Sequence, residues 1–341
     1  MVTSQTPPPS AHPTANPNAT PNATPNATRV VAVTGASGYI GSRLLLELEE
    51  ENLAKLVAFD TSPLRQPIHN IAVYRQDVRK SIEAALRQHR VDALVHLAFD
   101  GRRGLNRRQI REIRVNNLQT LHAVLDSCVR AEVKHFVYLS SHTVYGARPD
   151  NAVPLNEEAA LRSGPDFPHG YDKFLADQIL DAFAERHLET RFTILRACMV
   201  LGPTGENDVA RAFFRSRLLG VSGYNPPIQF LHEDDLARIL ALILRKQLPG
   251  VFNVAGDGVT FSGEISRITG RRLVTLPAFL AFPLARLTWG SRLQRSVTPA
   301  ELDLARYPVV LNTGKLKQTL GYRFWYTSLE ALIAYANSAL L

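Results

Sequence analysis

The chain has 341 residues, of which 39 are Lys or Arg and 31 are Asp or Glu, and its formal net charge is +8. This length accommodates one large α/β core with a smaller lobe, and the two cysteines, Cys128 and Cys198, are too few and too far apart for a disulfide scaffold or a redox pair. Low cysteine usage fits a reducing compartment, so we expect a cytoplasmic protein with a small-molecule substrate. The basic charge is not arranged as a nucleic-acid footprint, so no nucleic-acid partner is expected.

The first 28 residues differ in composition from the rest of the chain. They contain no Lys, Arg, Asp or Glu, carry seven prolines and repeat Pro-Asn-Ala-Thr three times. Such a segment has too little apolar surface to offset the entropy of ordering, so we predict a disordered tail over 1–28. It lacks the charged start and apolar stretch of a signal peptide. The triplets at Asn18, Asn22 and Asn26 would accept glycans only in a secretory pathway.

The stretch from Val30 to Gly41 predicts a binding site for nucleotide phosphates. An apolar, β-branched run leads into Gly35, Gly38 and Gly41, and a leucine-rich segment follows, which is the pattern of a strand, a glycine turn and a helix. Gly35 allows the tight turn, Gly38 lets backbone amides approach a pyrophosphate, and Gly41 lets the helix pack close to its strand. The positive end of the helix dipole then faces the phosphates.

An acidic residue follows where a dinucleotide-binding fold needs one. The segment ending at Asp60 predicts a second strand, and Asp60 lies nineteen positions after Gly41. A carboxylate there accepts hydrogen bonds from ribose hydroxyls and repels a 2′-phosphate, which favours NAD over NADP. Arg65 follows closely and would partly offset that repulsion, so NADP is the lesser alternative.

Strand and helix patterns alternate along the rest of the chain. This alternation predicts an α/β fold with a doubly wound parallel sheet, covered on both faces, and a ligand at the carboxyl ends of the strands. Strands are predicted near 29–34, 55–60, 71–75, 92–97, 134–140, 192–196 and 251–254. Helices are predicted near 39–52, 79–88, 107–131, 171–187, 208–219, 234–246 and 327–339.

Several motifs, in this order, resemble one family. The Gly-x-x-Gly-x-x-Gly loop, the strand ending Val95-His96-Leu97-Ala98, the segment 138–146 and the segment 230–237 are similar to the extended short-chain dehydrogenase/reductase family, in its NAD-dependent epimerase/dehydratase group. The resemblance covers most of residues 29–335 and implies a Rossmann-type fold with a smaller C-terminal substrate lobe. The cofactor-binding residues that it implies are Gly35, Ser37, Gly38, Tyr39, Ile40, Gly41, Asp60, Asp77, Val78, Leu97, Ala98, Asn116 and Lys173.

The resemblance also implies a division of the chain into an NAD-binding domain and a substrate lobe that closes over the cofactor. The segments are 29–197 plus 229–257 for the NAD-binding domain and 198–228 plus 258–341 for the substrate lobe. Many relatives pair through a bundle of two helices, which correspond to 107–131 and 171–187 here. A homodimer is therefore the default expectation.

The catalytic motif departs from the family. The family pairs Tyr-x-x-x-Lys on one helix face, whereas here Lys173 is preceded at that spacing by His169. Tyr171 is two positions from Lys173, on another side of the helix, and cannot replace the missing phenol without rearrangement. Ser141, four residues before Tyr145, stands where the family places the group that hydrogen-bonds the reacting oxygen. The resemblance implies Ser141, His169 and Lys173 as catalytic residues.

His169 admits three interpretations. A histidine near a lysine and a positive nicotinamide has a pKa below its usual value of about 6.5, so it is neutral at pH 7 and able to accept a proton. In the first interpretation it acts as a general base. In the second the domain binds the cofactor without turnover, and in the third the catalytic residue comes from elsewhere in the chain.

Other prominent polar residues are predicted to be structural. His96 lies in an apolar strand and is expected to be a hydrogen-bonded core residue. The run 232–235, His-Glu-Asp-Asp, is expected to diverge at a strand-to-helix turn and to supply N-terminal helix charges, so no metal is predicted. The arginine-rich segment 102–111 is expected to form a solvated loop and helix face, with contact to an anionic substrate as the alternative.

The segment from Leu273 to Trp289 is apolar but interrupted by Pro277 and Pro283. It is too short and broken to span a bilayer, so no transmembrane segment is expected. We predict an ordinary helix of the substrate lobe. The alternative is an interfacial surface that makes peripheral membrane contact and serves a lipid-like substrate.

Three functions are consistent with these features. The first is an NAD-dependent epimerase, dehydratase or dehydrogenase that acts on a nucleotide sugar or related sugar. The second is a reductase or dehydrogenase of an apolar alcohol or ketone, as in steroid- and flavonoid-type relatives, which the apolar segment 273–289 favours. The third is an NAD-binding regulatory protein that has lost catalysis. A sugar substrate is the first choice.

Overall fold

The computed structural model describes residues 29–52, 54–205, 217–290 and 298–339. The strands in chain order are β1 (Arg29–Thr34), β2 (Ala54–Asp60), β3 (Ile71–Arg75), β4 (Ala93–His96), β5 (His135–Ser141), β6 (Arg191–Ala197), β7 (Met199–Leu201), β8 (Arg217–Val221), β9 (Phe230–His232), β10 (Gly250–Val254) and β11 (Arg272–Leu276). The α-helices are α1 (Tyr39–Glu50), α2 (Glu83–His89), α3 (Arg107–Arg130), α4 (Pro168–Ala184), α5 (Glu233–Lys246), α6 (Ser262–Thr269), α7 (Ala278–Gly290), α8 (Gly314–Leu320) and α9 (Ser328–Ala339). Two 3₁₀ helices span His142–Tyr145 and Pro299–Ala305.

A seven-stranded sheet forms the centre of the molecule. Its strand order is β10-β6-β5-β4-β1-β2-β3, and every neighbouring pair is parallel. The order reverses direction beside β1, so the chain winds outward from β1 both ways and leaves a crevice at the carboxyl ends of the strands. The predicted doubly wound parallel sheet is confirmed.

Both faces of the sheet are buried because successive side chains of a strand point to opposite faces. In β1, Val31 and Val33 pack into one hydrophobic cluster, which also holds Leu44 of α1 and Leu240 of α5. Ala32, between them, packs into a second cluster with residues of α3 and α4. The helices thus form two layers, and the strand pattern that the sequence predicts is explained by burial on both sides.

Beside the central sheet there are two short parallel pairs, β8 with β11 and β7 with β9. A third hydrophobic cluster, including Leu218, Phe230, Ile265 and Leu332, joins these strands to α6 and α9. None of the helices within the described ranges combines the length and apolarity needed to cross a bilayer. The proposed domain limits remain a prediction.

Three helix predictions need correction, the first being that α2 begins at Glu83 rather than near residue 79. The helix predicted over 208–219 lies mostly outside the described residues, and its last part, 217–219, is in strand β8. The pairing of β8 with β11, more than fifty residues later, outweighs the local pattern. Helix α4 begins at Pro168 rather than at Tyr171, because proline fits the first helical turn, where its missing N–H costs no hydrogen bond.

Candidate active site

The glycine loop joins β1 to α1 with a geometry that only glycine allows at its first position. Gly35 has φ of +70°, and a Cβ there would lie 2.6 Å from the backbone nitrogen of Ala98. The Gly35 amide donates to the carbonyl of Phe59 over 3.0 Å, which ties the loop to the end of β2. Leu97 and Ala98, which follow β4, therefore lie directly against the loop.

The start of α1 is arranged for an anion. Gly38 is the N-cap and provides no capping side chain, so the amides of the first turn, beginning with Tyr39 and Ile40, have no side-chain acceptor at that cap. A Cβ on Gly41 would collide with the carbonyl oxygen of Gly35, so glycine is required there for helix and loop to pack together. The Tyr39 side chain is half-buried, with its phenol oxygen buried near Glu233, and this burial raises the pKa of the phenol.

Asp60 lies beside the glycine loop at the end of β2. Its two carboxylate oxygens accept from the backbone amides of Ser37 and Ser62, each over 2.9 Å. Arg65 donates to the Ser37 carbonyl over 2.9 Å, so its guanidinium is held at the same loop. The structure therefore places Asp60, which favours NAD, and Arg65, which would partly offset that preference, at the same loop.

Asp77 and Asn116 are joined by a residue that sequence reasoning missed. Arg79 donates from Nε to Asp77 over 2.8 Å and from Nη1 to Asn116 over 3.0 Å. The hydrogen bonds from Arg79 lower the pKa of the Asp77 carboxyl below its usual range. Val78 is buried in the second hydrophobic cluster, so its side chain packs the core. In the sequence, this pairing is indicated by the position of Arg79 two residues after Asp77.

Lys173 projects from α4 onto the end of β5. Its Nζ donates to the carbonyl of Leu139 over 2.7 Å and to the phenol of Tyr138 over 3.2 Å. The same Nζ lies 4.0 Å from the centre of the Phe99 ring. Burial lowers the pKa of Lys173 to about 7, although the carboxylates of Asp177 and Asp172 oppose the shift.

His169 lies one turn before Lys173 on the same face of α4. Its ring meets the edge of Phe99 with a centroid distance of 5.5 Å, so one aromatic ring contacts both side chains. Its Nδ1 is buried and has no hydrogen-bond partner among the described residues. Burial, followed by the charge of Lys173 and then by Arg103 and His142, lowers the pKa of His169 to about 3. The imidazole is therefore neutral at pH 7, and a ring nitrogen can accept a hydrogen bond.

Tyr171 faces away from this pair. The guanidinium of Arg114 on α3 lies 4.7 Å from the centre of the Tyr171 ring, and the ring stacks on Phe174. Arg114 also donates to Asp172 over 2.5 Å. Tyr171 thus belongs to the contact between α3 and α4, consistent with the prediction that it does not replace the missing phenol.

Ser141 ends β5 and caps the 3₁₀ helix that follows. Its Oγ accepts from the Thr143 hydroxyl over 2.9 Å and from the Thr143 amide over 3.3 Å. Ser141 Oγ is the acceptor in both contacts, so its hydroxyl retains the capacity to donate one hydrogen bond. His142, the next residue, contacts the Ala197 carbonyl over 3.3 Å.

A buried ion pair joins helix α4 to strand β6 near the candidate site. Asp177 of α4 accepts from Arg196 of β6 over 2.9 Å and from Ser140 of β5 over 2.6 Å. Arg196 also donates to the phenol of Tyr145 over 3.1 Å. Ser140 is therefore structural, as predicted, although its partner is a carboxylate rather than backbone. His96 is structural too, with Thr34 Oγ1 2.7 Å from its Nδ1.

A pocket opens next to His169, between the loop after β4 and the C-terminal part of the chain. It encloses about 60 Å³ and includes Phe99, Arg103, Trp289 and Glu301 in its lining. Arg103 forms an ion pair with Glu301 across this pocket. Part of the arginine-rich segment predicted to be solvated therefore lines the pocket.

The acidic run after β9 diverges. His232 Nδ1 accepts from the amide of Asp234, Asp234 pairs with Arg43 over 2.6 Å, and Asp235 accepts from the phenol of Tyr322 over 2.5 Å. Each side chain thus has a different partner. Within the described ranges, no three His, Cys, Asp or Glu side chains are grouped to hold a metal ion.

A comparison with protein families gives the identity of the fold. The model of the NAD dependent epimerase/dehydratase family matches residues 31–255. The chain belongs to this family. The resemblance noted in the sequence is confirmed, and NAD, the cofactor favoured by Asp60, is the cofactor of the family by its own description.

Three individual proteins illustrate the likeness. An uncharacterised protein of Mycobacterium tuberculosis is 26% identical over 319 residues, which cover 90% of this chain and 83% of that protein. A UDP-glucose 4-epimerase of Yersinia enterocolitica is 30% identical over 285 residues, covering 71% of this chain and 83% of that enzyme. The crystal structure of a UDP-glucose 4-epimerase from Thermus thermophilus, in complex with NAD, has a TM-score of 0.70 at 21% identity, covering 91% of this chain and 98% of that chain.

Proposed function

We propose that this epimerase/dehydratase family member is an NAD-dependent oxidoreductase that acts on a nucleotide sugar or related sugar. The observation that carries the proposal is the pairing of His169 and Lys173 on one face of α4, both against Phe99, with His169 lining the pocket. The uncapped start of α1 and the carboxylate of Asp60 fit the pyrophosphate and ribose of NAD. NAD, when bound, accepts and returns a hydride.

The chain's own residues would handle the proton. His169 is neutral, and its buried Nδ1 lacks a partner among the described residues, so a nitrogen of this ring can accept the proton of a substrate hydroxyl. Ser141 would donate its hydrogen bond to the same oxygen. Lys173, fixed by the Leu139 carbonyl, would bind cofactor hydroxyls and supply positive charge. Arg103 would contact substrate phosphate.

A second candidate, an oxidoreductase of apolar alcohols or ketones, is favoured by one observation. The pocket lining, which also contains charged side chains, includes several apolar and aromatic groups: Phe99, Leu105, Ile110, Ile113 and Trp289. The sugar is preferred because UDP-glucose 4-epimerases recur among the relatives and the pocket holds Arg102 and Arg103.

The test combines calorimetric titration with NAD and NADP and a turnover assay with UDP-glucose, UDP-galactose and a panel of apolar secondary alcohols. We expect NAD binding by the wild type and by His169→Ala, and sugar conversion by the wild type alone, with a loss of at least about a hundredfold in the variant. Tyr171→Phe, on another face of α4, is the matched control and should retain activity.

The other outcomes separate the alternatives. Turnover of alcohols but not of sugars would favour the second candidate. NAD binding without turnover of either class, unchanged by His169→Tyr, would favour a regulatory protein. Failure to bind either cofactor would contradict the proposal altogether.

A further inference from the structure

Helix α7 presents an apolar face to solvent. The exposed fractions of its large side chains are 74% for Phe279, 68% for Leu287 and 50% each for Leu280 and Leu284. Isolated exposed hydrophobic residues are common on protein surfaces, but four on one short helix form a patch that calls for an explanation.

The exposed residues share one side of the helix. At about 100° per residue, Phe279, Leu280, Pro283, Leu284 and Leu287 fall within an arc of roughly 140°. Side chains on the opposite side of α7 face the protein. Ala281 is buried, Arg306 lies 5.1 Å from the centre of the Phe282 ring, and Trp289 lines the pocket beside His169. The helix is therefore docked by its other side, and its apolar face is exposed to solvent to the extent given above.

The stretch of chain around α7 carries only positive charge. Residues 265–300 contain six arginines and no Asp or Glu. Arg286 is exposed next to the apolar arc, and Arg107 lies 5.2 Å from the centre of the Trp289 ring at the end of the helix. Apolar side chains with arginines at their border are the composition of a helix that lies in a membrane interface and contacts anionic headgroups.

We propose that α7 anchors the protein on an anionic phospholipid surface. With 13 residues α7 is too short to cross a bilayer, so it would lie in the plane of the interface with its apolar face among the acyl chains. A second copy of the chain is the weaker occupant, because a symmetric contact would place the same arginines opposite one another. Trp289 then sets the pocket close to the lipid surface.

The test is vesicle flotation with the full-length protein. Vesicles of equal parts phosphatidylglycerol and phosphatidylcholine are compared with vesicles of phosphatidylcholine alone, at low and high salt. We expect the wild type to bind the anionic vesicles, and added salt to weaken that binding. The double variant Phe279→Ser/Leu287→Ser should lose about tenfold in partitioning, and Arg286→Glu a few-fold. Leu188→Ser, at a residue that is 86% exposed in another part of the chain, is the matched control and should bind like the wild type.

A second measurement does not depend on a loss of binding. Phe279→Trp should show blue-shifted fluorescence with anionic vesicles and quenching by lipids brominated on their acyl chains. The proposal is overturned if the wild type does not float, if neutral and anionic vesicles bind equally, or if Leu188→Ser loses as much as the double variant. Absence of flotation, together with a solution mass that halves in the double variant, would assign the face to self-association.

Discussion

His169 and Lys173 are one helical turn apart, and burial lowers the pKa of both. Each is a base whose protonated form is disfavoured away from water, and the charge of Lys173 adds to the shift at His169. Phe99 contacts both side chains and contributes to their separation from solvent. His169 and Lys173 therefore contribute less positive charge to the site at neutral pH than an ordinary histidine and lysine would.

Lys173 should make the stability of the cofactor-free protein depend on pH. Its pKa is about 7 in the folded state and about 10.4 in the unfolded state, so between these values the unfolded chain binds more protons. The free energy of unfolding should then rise with pH from 7 to 10, with a slope of up to about 1.4 kcal/mol per pH unit from this group.

Urea unfolding of Lys173→Met over the same pH range measures that contribution, and the slope should fall by the amount that Lys173 supplies. Lys134→Met, at an exposed position, should keep the slope of the wild type. Equal slopes in wild type and Lys173→Met would contradict the lowered pKa.

Asp60 should set the cofactor preference. Replacing it by serine removes an anion that would accept hydrogen bonds from the ribose and repel a 2′-phosphate, so Asp60→Ser should bind NAD about tenfold more weakly and discriminate less against NADP. Titration calorimetry with both cofactors gives the ratio. Asp126→Ser, which removes an exposed carboxylate on α3, should leave both affinities unchanged.

At the scale of elements, α4 holds the site in place through contacts on several sides. His169 and Lys173 face the loop after β4 and the end of β5, Tyr171 faces α3, and Asp177 reaches Arg196 on β6. A displacement of this helix would move both proposed catalytic groups together.

Removing only one partner of the buried ion pair between Asp177 and Arg196 should strongly lower the stability of the protein. Arg196→Leu leaves Asp177 buried without its charged partner, so it should destabilise the protein by about 3–5 kcal/mol. Arg196→Leu/Asp177→Leu removes both charges and should be less destabilised than the single variant, as urea unfolding of the two would reveal. If the double variant instead loses much more stability than Arg196→Leu alone, the loss does not come from leaving one charge unpaired.

The sequence predicts those parts of the structure whose signals are local. The glycine loop, the strands flanking it and the spacing of His169 and Lys173 can be deduced because turn chemistry and helical periodicity act over a few residues. Strand β8 and the pocket contact of Arg103 could not be, because β11 and Glu301 lie far along the chain. Phe99 is next to a recognised motif, yet its role depends on a helix that begins nearly seventy residues later.

At the scale of the whole molecule, the strands that form the crevice come from distant parts of the chain. Strand β10 joins the sheet beside β6 after an excursion through β7, β8 and β9. The cofactor loop packs against Leu97 and Ala98 and bonds to Phe59, so a ligand there stabilises contacts among several strands.

NAD should therefore raise the temperature of global unfolding. At a concentration of 100 times its dissociation constant, binding to the folded state alone adds about 2.7 kcal/mol, which for a chain of this size is a shift of about 5 °C. Differential scanning calorimetry measures the shift. NADP at the same concentration should give a smaller one, and equal shifts would contradict the preference assigned to Asp60.

The ion pair between Arg103 and Glu301 affects how an anion can enter the pocket. An incoming phosphate meets a cation that already has a carboxylate beside it, so binding is an exchange of one anion for another. In such an exchange the phosphate displaces the Glu301 carboxylate, which is part of the protein, rather than counterions from solution. The affinity for an anionic substrate should consequently vary less with ionic strength than a net charge of +8 would suggest.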